Sequence, residues 1–313
     1  MQVDIKQAGI NIEKSNIDTL KLWEEIWLKN IELNKNHFSY FNKDHSIKVW
    51  LNENQNNPIV LVGAGFSLEK NIDYLSMCID NKIPIFSCAH SFMYLNDLGI
   101  KSDFVCVLDA GSQWAEYLIG ESRNIPLFAD WCCDPVQLKD WMGAVYFYAS
   151  RIDKGSETGK KIINKSKELC AIPPDFLNAD AHVMATMFYI AKNVMASSDI
   201  IFVGCDYGFS KDGKFYPFDK EIDKKSIPTD IVGNSYDIFG HTVNVSASYA
   251  LFKTLMDKLV CENANDRDSF INATEGGILG AYKHGNLKNY DYLTLEDAIG
   301  VVCKKREYKC QGQ

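Results

Sequence analysis

The chain has 313 residues, 46% of them apolar and 24% charged, the composition of an ordinary globular protein with one large domain or two small ones. Its formal net charge of -8 argues against nonspecific nucleic-acid binding, because phosphate contacts need clustered lysines and arginines. No apolar run approaches the roughly 20 residues of a membrane span, and the amino terminus lacks the apolar segment of a secretory signal. We therefore expect a cytoplasmic protein without a membrane segment.

The first predicted element is an amphipathic helix within an N-terminal helical segment over residues 1–50. Its apolar face is formed by residues at helical spacing, namely Leu20, Trp23, Ile26, Trp27 and Ile31. This face predicts a helix that leads into the fold and packs on its core.

From residue 58 onward, short apolar runs alternate with segments of helix length. Six runs are predicted strands, over residues 58–63, 83–88, 103–109, 125–130, 144–150 and 199–206. Continuous apolar runs are typical of parallel strands covered on both faces, and their alternation with helices indicates right-handed crossovers. We predict an α/β fold with a Rossmann-like, doubly wound, mostly parallel sheet over residues 51–285. A C-terminal tail, read as a helical extension, follows over residues 286–313.

Two later segments stand apart from this alternation. Residues 207–241 are polar, aromatic and rich in turn formers, and a connection of this length tends to be functional or mobile, for example a lid. After a predicted helix, the segment FINATEGGILG contains Gly276 and Gly277, which predict a tight backbone turn. The ten cysteines lie in apolar runs without a Cys-x-x-Cys pair, which indicates buried reduced thiols rather than a zinc site.

The glycine turn after the first strand is the first candidate site, with the sequence Gly63-Ala64-Gly65-Phe66-Ser67. It is neither a Walker loop nor a dinucleotide fingerprint, because the required lysine and third glycine are missing. A backbone that allows close approach, followed by a helix amino terminus, favours phosphate binding. The alternative is a strand-to-helix turn with Ser67 as N-cap. The phosphate interpretation, and with it the case that this turn makes for a transferase, requires turn amides that face open space rather than a side chain.

Carboxylates and small residues follow two other predicted strands. Asp109 ends the third predicted strand, with Gly111 and Ser112 behind it, and could hold Mg²⁺, accept from a ribose hydroxyl, or cap the next helix. Asp206 ends the sixth predicted strand, and Tyr207 follows it. Because ligands of open α/β sheets bind at the carboxyl ends of strands, these residues could share one crevice.

Two histidines are candidate general bases, because their pKa suits proton transfer near neutrality. His182 stands near the start of a predicted helix, and His241 precedes another. A structural role is the alternative for each.

Four segments stand in an order typical of one known family. The first is VLVGAGFSLEKNIDYL, which looks like a Gly-x-Gly-Pro-Ser-Leu turn. The second is YLNDLGIKSDFVCVLDAG, a strand that ends in aspartate. AHVMATMFYIAKNVMASSDIIFVGCDYGFSKDGKFY and INATEGGILG follow. Over about residues 50–285 the chain resembles the MptE-like (DUF115) family, and it is nearest to the bacterial motility-associated factor (Maf) glycosyltransferases.

This resemblance implies a nucleotide-binding transferase with a Rossmann-like fold. Archaeal members transfer pyrophosphate from ATP to a hydroxymethyl pterin with Mg²⁺, whereas Maf proteins are associated with the transfer of CMP-activated nonulosonic acids to flagellin. The turn also resembles that of bacterial sialyltransferases. By motif, the nucleotide phosphates would contact Gly63, Gly65, Ser67 and Asp109. Asp206 would line the acceptor side, and Asn272 and Glu275 would close the site.

The sequence departs from the family pattern at two positions in these motifs. Phe66 and Ser102 stand where the family has proline, and Phe66 adds bulk beside the expected phosphate, so the nucleotide preference could differ. His182 stands where a small hydroxyl residue would be expected.

Three functions are compatible with these residues. The first is a glycosyltransferase that moves a sugar from a CMP-activated or other nucleotide sugar to a hydroxyl of a protein or small molecule, with no cofactor required. The second is a pterin diphosphokinase that uses ATP and Mg²⁺, with Asp109 and Asp206 as metal ligands. The third is a nucleotide-binding protein without catalysis. A homo-oligomer is left open, and no nucleic acid or membrane partner is expected.

Overall fold

The computed structural model describes a chain that divides into two compact units. The described residues are 23–35, 58–111, 124–139, 141–151, 157–169, 175–180, 182–210, 216–217 and 231–311. The first unit comprises the described residues within 58–87 and 196–311, and the second unit those within 23–35 and 88–195.

Strands and helices alternate along most of the described chain. The strands are β1 (Ile59–Val62), β2 (Ile85–Cys88), β3 (Phe104–Val107), β4 (Leu127–Asp130), β5 (Val145–Arg151), β6 (Asp175–Asp180), β7 (Asp199–Val203), β8 (Ile231–Tyr236), β9 (Thr242–Ser246), β10 (Ser269–Asn272) and β11 (Asp291–Tyr292). The helices are α1 (residues 23–35), α2 (Leu68–Asp80), α3 (Ala89–Asp97), α4 (Pro135–Lys139), α5 (Glu157–Leu169), α6 (Val183–Tyr189, continued by a π-helical turn over Ile190–Val194), α7 (Ala247–Asn263) and α8 (Leu295–Gln311).

The first unit contains a parallel sheet whose strand order is β11-β10-β7-β1-β2. Each neighbouring pair in this order is parallel. The chain passes from β1 to β2 on one side and later builds β7, β10 and β11 on the other, so the direction of winding reverses between β1 and β7. This reversal confirms the prediction of a Rossmann-like, doubly wound parallel sheet.

The residues of this sheet explain why it forms. Every residue of β1, β2 and β10 is buried, which fits strands that are covered on both faces. Helix α2 buries Leu68, Leu75 and Cys78, and α8 is tied to the end of α2 by a 2.9 Å hydrogen bond from Arg306 to the carbonyl of Asn81. The strand β11 and the helix α8 also belong to this unit. The sheet and its helices therefore extend beyond residue 285, where the sequence analysis ends the domain and begins a C-terminal helical extension.

The second unit contains the parallel strand order β3-β4-β5-β6 and a core rich in tryptophan, phenylalanine and cysteine. The predicted N-terminal helix is α1, which places Ile31 in this core and packs the partly buried Trp27 against it. Asn30 and Asn34 each donate two hydrogen bonds of 2.8 to 3.0 Å to carbonyls in the loops after β3 and β4. These bonds hold α1 at the carboxyl ends of the two strands.

Several elements lie where the sequence analysis predicts none. They are β6, the antiparallel β8–β9 hairpin, whose first strand and turn belong to the turn-rich segment, and the short strands β10 and β11. All eight described cysteines are free. Six of them are buried, as predicted, whereas Cys261 is exposed and Cys303 is partly exposed. Within the part of the chain that the structure describes, no helix combines the length and apolar character needed to cross a membrane.

Candidate functional site

Three loops meet at the carboxyl ends of β1, β7 and β10, and we call them the glycine-loop cluster: residues 63–67, 204–206 and 272–277. The Gly63 amide donates to the carbonyl of Val203 at 2.8 Å, and the Gly65 amide donates to the carbonyl of Gly204 at 2.8 Å. The Ile278 amide, just after the third loop, donates to the carbonyl of Asp206 at 2.8 Å. Backbone hydrogen bonds therefore join the loops directly.

Close backbone packing explains the glycines of this cluster. A Cβ on Gly63 would lie 2.5 Å from the Gly204 carbonyl oxygen, and one on Gly204, where φ is +62°, would lie 2.6 Å from the Gly63 oxygen. A Cβ on Gly65 would overlap the Asp206 carboxylate, and one on Gly277 would overlap the Asp206 backbone. Any side chain at these positions would force the loops apart.

Asp206 lies at the centre of the cluster with 2% of its surface exposed. Ser67 donates both its amide N–H (3.1 Å) and its hydroxyl (2.8 Å) to Oδ2 of this carboxylate. The other oxygen, Oδ1, has no hydrogen-bond partner among the described residues. Burial raises the pKa of Asp206 to about 6, although the bonds from Ser67 and the charge of Lys70 oppose the rise.

These contacts correct the prediction that bare amides of the glycine turn receive a phosphate. The amides of Gly63, Gly65 and Ser67 all donate within the protein, and the Asp206 carboxylate occupies the place of an anion at Ser67. Ser67 stands at the N-cap position of α2, but its side chain makes no capping bond, because its hydroxyl is turned to Asp206. In the described part of the chain, only the amides of Ala64 and Phe66 in this turn lack an acceptor.

The side chains of the Asn-Ala-Thr-Glu-Gly-Gly segment form hydrogen bonds within their own loop and to neighbouring helices. The fully buried Asn272 donates to the Leu279 carbonyl at 3.0 Å and accepts from the Thr274 amide at 3.0 Å. Oε1 of Glu275 accepts from Asn71 at 2.8 Å and from the amide of Leu295 at 3.3 Å, while its backbone carbonyl accepts from Lys70 at 2.7 Å. Asn272 and Glu275, which the sequence analysis expects to close the site, therefore connect loops and helices to one another.

A buried ion pair supports the chain that follows this segment. Asp257 of α7 accepts hydrogen bonds from Lys253 (2.9 Å), the Gly280 amide (3.1 Å) and the hydroxyls of Tyr282 (3.0 Å) and Tyr290 (3.2 Å). Burial raises the pKa of Asp257 and lowers that of Lys253, and their pairing opposes both shifts. Four donors on one carboxylate fix the course of residues 280–290.

A cavity of about 450 Å³ opens beside the glycine-loop cluster, between that cluster and the β8–β9 hairpin. Its wall combines aromatic rings with charged and polar groups: Phe66, Lys70, Phe209, Ser210, Asp237, Phe239, His241, Thr242, Val243, Asn244, Glu275, Gly276 and Gly277. Phe209 joins the hairpin through a 2.9 Å bond from its amide to the Asn244 carbonyl. The volume is in the range of small-molecule sites, and the cavity lies at the switch in strand order, where α/β sheets bind ligands.

The cavity contains a histidine paired with a carboxylate. His241 lies just after the hairpin turn with 68% of its side chain exposed, and its Nδ1 is 3.3 Å from Oδ2 of Asp237. Such a pair can take a proton from a hydroxyl. Of the two predicted bases, His241 is the one that lines this cavity.

The remaining predicted site residues do not line this cavity. His182 is buried at the N-cap of α6, where its Nδ1 accepts from the Ala185 amide at 3.3 Å, which is a structural role. Asp109 is exposed after β3 and Gly111 is buried, both in the second unit, and Ser112 is outside the described residues. Tyr207 is half-buried in the loop after β7 with φ +49°.

The sequence analysis does not identify Lys70, Asp237, Phe209 or Phe239 as site residues. Lys70 belongs to a polar helix face, and the other three stand in the turn-rich segment. The spacing of Asp237, Gly240 and His241 around a turn is the one available signal, because aspartates before glycine-containing turns accept from nearby amides.

The fold and the site define a Rossmann-like α/β protein with a small-molecule cavity at its topological switch point. The chain belongs to the MptE-like family, because the family model described as 6-hydroxymethylpterin diphosphokinase MptE-like matches residues 32–212. This membership supports a transferase-type function. No curated protein matches the chain.

Among solved structures, the chain is similar to one titled as the Maf glycosyltransferase from Magnetospirillum magneticum AMB-1. The TM-score is 0.56 at 15% sequence identity, and the match covers 89% of this chain and 42% of that one. The chain thus spans less than half the length of that protein. At this identity the likeness establishes the shared fold.

Proposed function

We propose that this protein is a glycosyltransferase that moves a sugar from a CMP-activated or other nucleotide sugar to an acceptor hydroxyl. One observation carries the proposal: a cavity of about 450 Å³ at the switch point is lined by three phenylalanines, a lysine and an exposed histidine backed by a carboxylate. Family membership supports a transferase-type function, and the chain shares its fold with a Maf glycosyltransferase.

The chemistry of the wall suits a sugar and a phosphate. Apolar faces of a sugar ring pack on aromatic side chains, while its hydroxyls bond to groups such as Ser210 and Asn244. The Lys70 ammonium has three donors and uses one on the Glu275 carbonyl, so two remain for the oxygens of a leaving phosphate. The phosphate contact is thereby assigned to Lys70, with the amide of Phe66, rather than to the amides of Gly63, Gly65 and Ser67.

The proposed reaction uses His241 as the general base. Nε2 of His241 takes the proton of the acceptor hydroxyl, while the oxygen of that hydroxyl forms a bond to the anomeric carbon of the donor sugar. The bond from that carbon to the phosphate oxygen breaks, and the nucleotide leaves with the bonding electron pair. Lys70 offsets the negative charge that develops on the leaving group.

The family description favours a second candidate, a pterin diphosphokinase that uses ATP and Mg²⁺. The described residues do not form the metal site that the sequence predicts from Asp109 and Asp206, because neither residue lines the cavity. No group of three or more His, Cys, Asp or Glu side chains among them is arranged to hold an ion. Asp206, one of the two expected ligands, is buried with Oδ2 bonded to Ser67.

Ligand-induced thermal stabilisation separates the candidates, because a ligand that binds only the native state raises the melting temperature. The full chain is heated with CMP, CDP, UDP or ATP, each with and without Mg²⁺. We expect stabilisation by a cytidine or uridine nucleotide without metal. Stabilisation by ATP only with Mg²⁺ would favour the kinase, and no stabilisation by any nucleotide would contradict both enzymes.

Two variants then test the residues. Lys70→Met should abolish the stabilisation, whereas Lys258→Met, an exposed lysine on α7 outside the cavity, should keep it. His241→Gln should bind the nucleotide as wild type does but should no longer hydrolyse the nucleotide sugar. The assay for hydrolysis is the release of free CMP or UDP. Full hydrolysis by His241→Gln would remove that residue from the reaction.

A further inference from the structure

The tip of the β8–β9 hairpin is organised by one carboxylate, that of Asp237. Its Oδ1 accepts from the amides of Phe239 (2.9 Å) and His241 (2.7 Å), and its Oδ2 lies 3.3 Å from Nδ1 of His241. The side chain of Asp237 is only 12% exposed, although it serves an imidazole that is 68% exposed. Backbone amides thus hold Oδ1 of the carboxylate in place, and Oδ2 faces the histidine.

The hairpin tip is also tied to the loops beside the cavity. The Ile238 amide donates to the Gly277 carbonyl at 3.3 Å, and Asn286 donates to the Ile238 carbonyl at 2.8 Å. Both partners lie on the chain that follows β10. The aspartate and the histidine therefore keep a defined position relative to the glycine-loop cluster.

The chemistry of the carboxylate determines where the imidazole proton lies. An ionised carboxylate has acceptors only, so the Nδ1 that faces it must carry a hydrogen. In the neutral ring the lone pair is then on Nε2, which has no hydrogen-bond partner among the described residues. Without such a partner, neutral histidine prefers the opposite tautomer, in which Nε2 carries the hydrogen and cannot accept a proton.

We propose that Asp237 is the positioning residue of the site: it holds His241 in the Nδ1–H tautomer, so that Nε2 is the basic atom presented to the substrate. The catalytic part of this assignment rests on the proposed function, whereas the tautomer itself does not. The alternative is that Asp237 only shapes the turn through its bonds to the two amides.

The variant Asp237→Asn separates these two roles. The two backbone amides fix the orientation of the new side chain, because only its oxygen can accept from them. Its NH₂ group then faces Nδ1 of His241 and can only donate, which forces the ring hydrogen onto Nε2. The turn is kept while the tautomer is inverted. Asp268→Asn, which alters a similar turn-forming aspartate outside the cavity, is the matched control.

The test is a long-range ¹H–¹⁵N correlation spectrum of the full chain at mildly alkaline pH. The chain has six histidines, and His241→Gln assigns the signal of interest. We expect the Nδ1–H pattern in wild type and in Asp268→Asn, and the Nε2–H pattern in Asp237→Asn, with the same urea midpoint in all three. An Nε2–H pattern in wild type, or an unchanged pattern in Asp237→Asn, would overturn the proposal.

A kinetic measurement then tests the catalytic part. For hydrolysis of the nucleotide sugar that stabilises the protein, we expect kcat of Asp237→Asn to fall by between about tenfold and about 10⁴-fold with KM unchanged. A kcat equal to that of wild type despite an inverted tautomer would refute the positioning role. An inverted tautomer in a protein that hydrolyses no nucleotide sugar would keep Asp237 as the residue that orients His241 and would contradict the glycosyltransferase.

Discussion

Two aspartates at the same edge of the first unit have similar hydrogen bonds and different surroundings. Asp206, in the glycine-loop cluster, accepts two bonds from Ser67 with one oxygen and is 2% exposed. Asp237, in the β8–β9 hairpin, accepts two backbone bonds with one oxygen and turns the other toward an exposed imidazole. The first aspartate closes a packed junction, and the second serves an open cavity.

This difference shows that a glycine-rich turn at a strand end can be a packing device. In the cluster, glycines without side chains allow two loop backbones to touch. The carboxylate of Asp206 accepts the hydrogen bonds of both the amide and the hydroxyl of Ser67. Groups that could meet a ligand lie one layer further out, in Lys70, His241 and the phenylalanine rings. Three predictions test whether the cluster and the hairpin differ in this way.

The largest effect is expected from Gly277→Ala in the cluster. The new Cβ would overlap the Asp206 backbone, and alanine is strained at the φ of +65°. We expect the free energy of unfolding to fall by about 2–4 kcal/mol, measured by urea denaturation. In the hairpin, Gly240→Ala has a similar φ of +83° but open space around it, and should lose only about 1 kcal/mol. Equal losses would mean that strain, rather than overlap, decides both positions.

A smaller effect is expected from Asp206→Asn, and it depends on pH. The folded pKa of Asp206 is about 6, above its ordinary value of 3.8, so the folded state binds more protons between these values. Stability from this group is therefore present at low pH and is lost as pH rises through 6. From about pH 4.5 to about pH 7, wild type should lose about 2 kcal/mol relative to Asp206→Asn.

Urea denaturation at several pH values checks this difference, with Asp237→Asn as the comparison from the hairpin. Because Asp206→Asn keeps an oxygen for Ser67 and never ionises, it imitates the protonated acid. A difference between wild type and Asp206→Asn that stays constant with pH would show that the buried carboxyl does not titrate in this range.

The smallest change in stability is expected from Phe239→Ala in the hairpin. This ring is 61% exposed, so the free energy of unfolding should change by no more than about 0.5 kcal/mol. Nucleotide-sugar binding should weaken by about fivefold, or about 1 kcal/mol, because an aromatic wall of the cavity is lost. Tyr236→Ala, on the same hairpin but outside the cavity lining, should leave binding unchanged. Equal binding by both variants would exclude Phe239 from the ligand contact.

Parts of the site could be predicted because they depend on residues that are close in the chain. The order Gly63, Gly65, Ser67 after a buried strand correctly indicates a tight turn into a helix, and His241, one of the two predicted bases, lines the cavity. Ser67 and Asp206, by contrast, are 139 residues apart, and no local pattern pairs them. The contact between Lys70 and the carbonyl of Glu275 is equally hidden, since the two residues are 205 positions apart in the chain.

The sequence by itself determined the α/β class, the six apolar strands and the helices between them, because burial and periodicity act within a few neighbouring residues. Only the tertiary structure decided what the polar residues at the strand ends do. The same aspartate, serine or glycine can bind a ligand or seal a loop, and the choice depends on which distant segment occupies the space in front of it. At Ser67 that space is filled by Asp206, and beside His241 it is open.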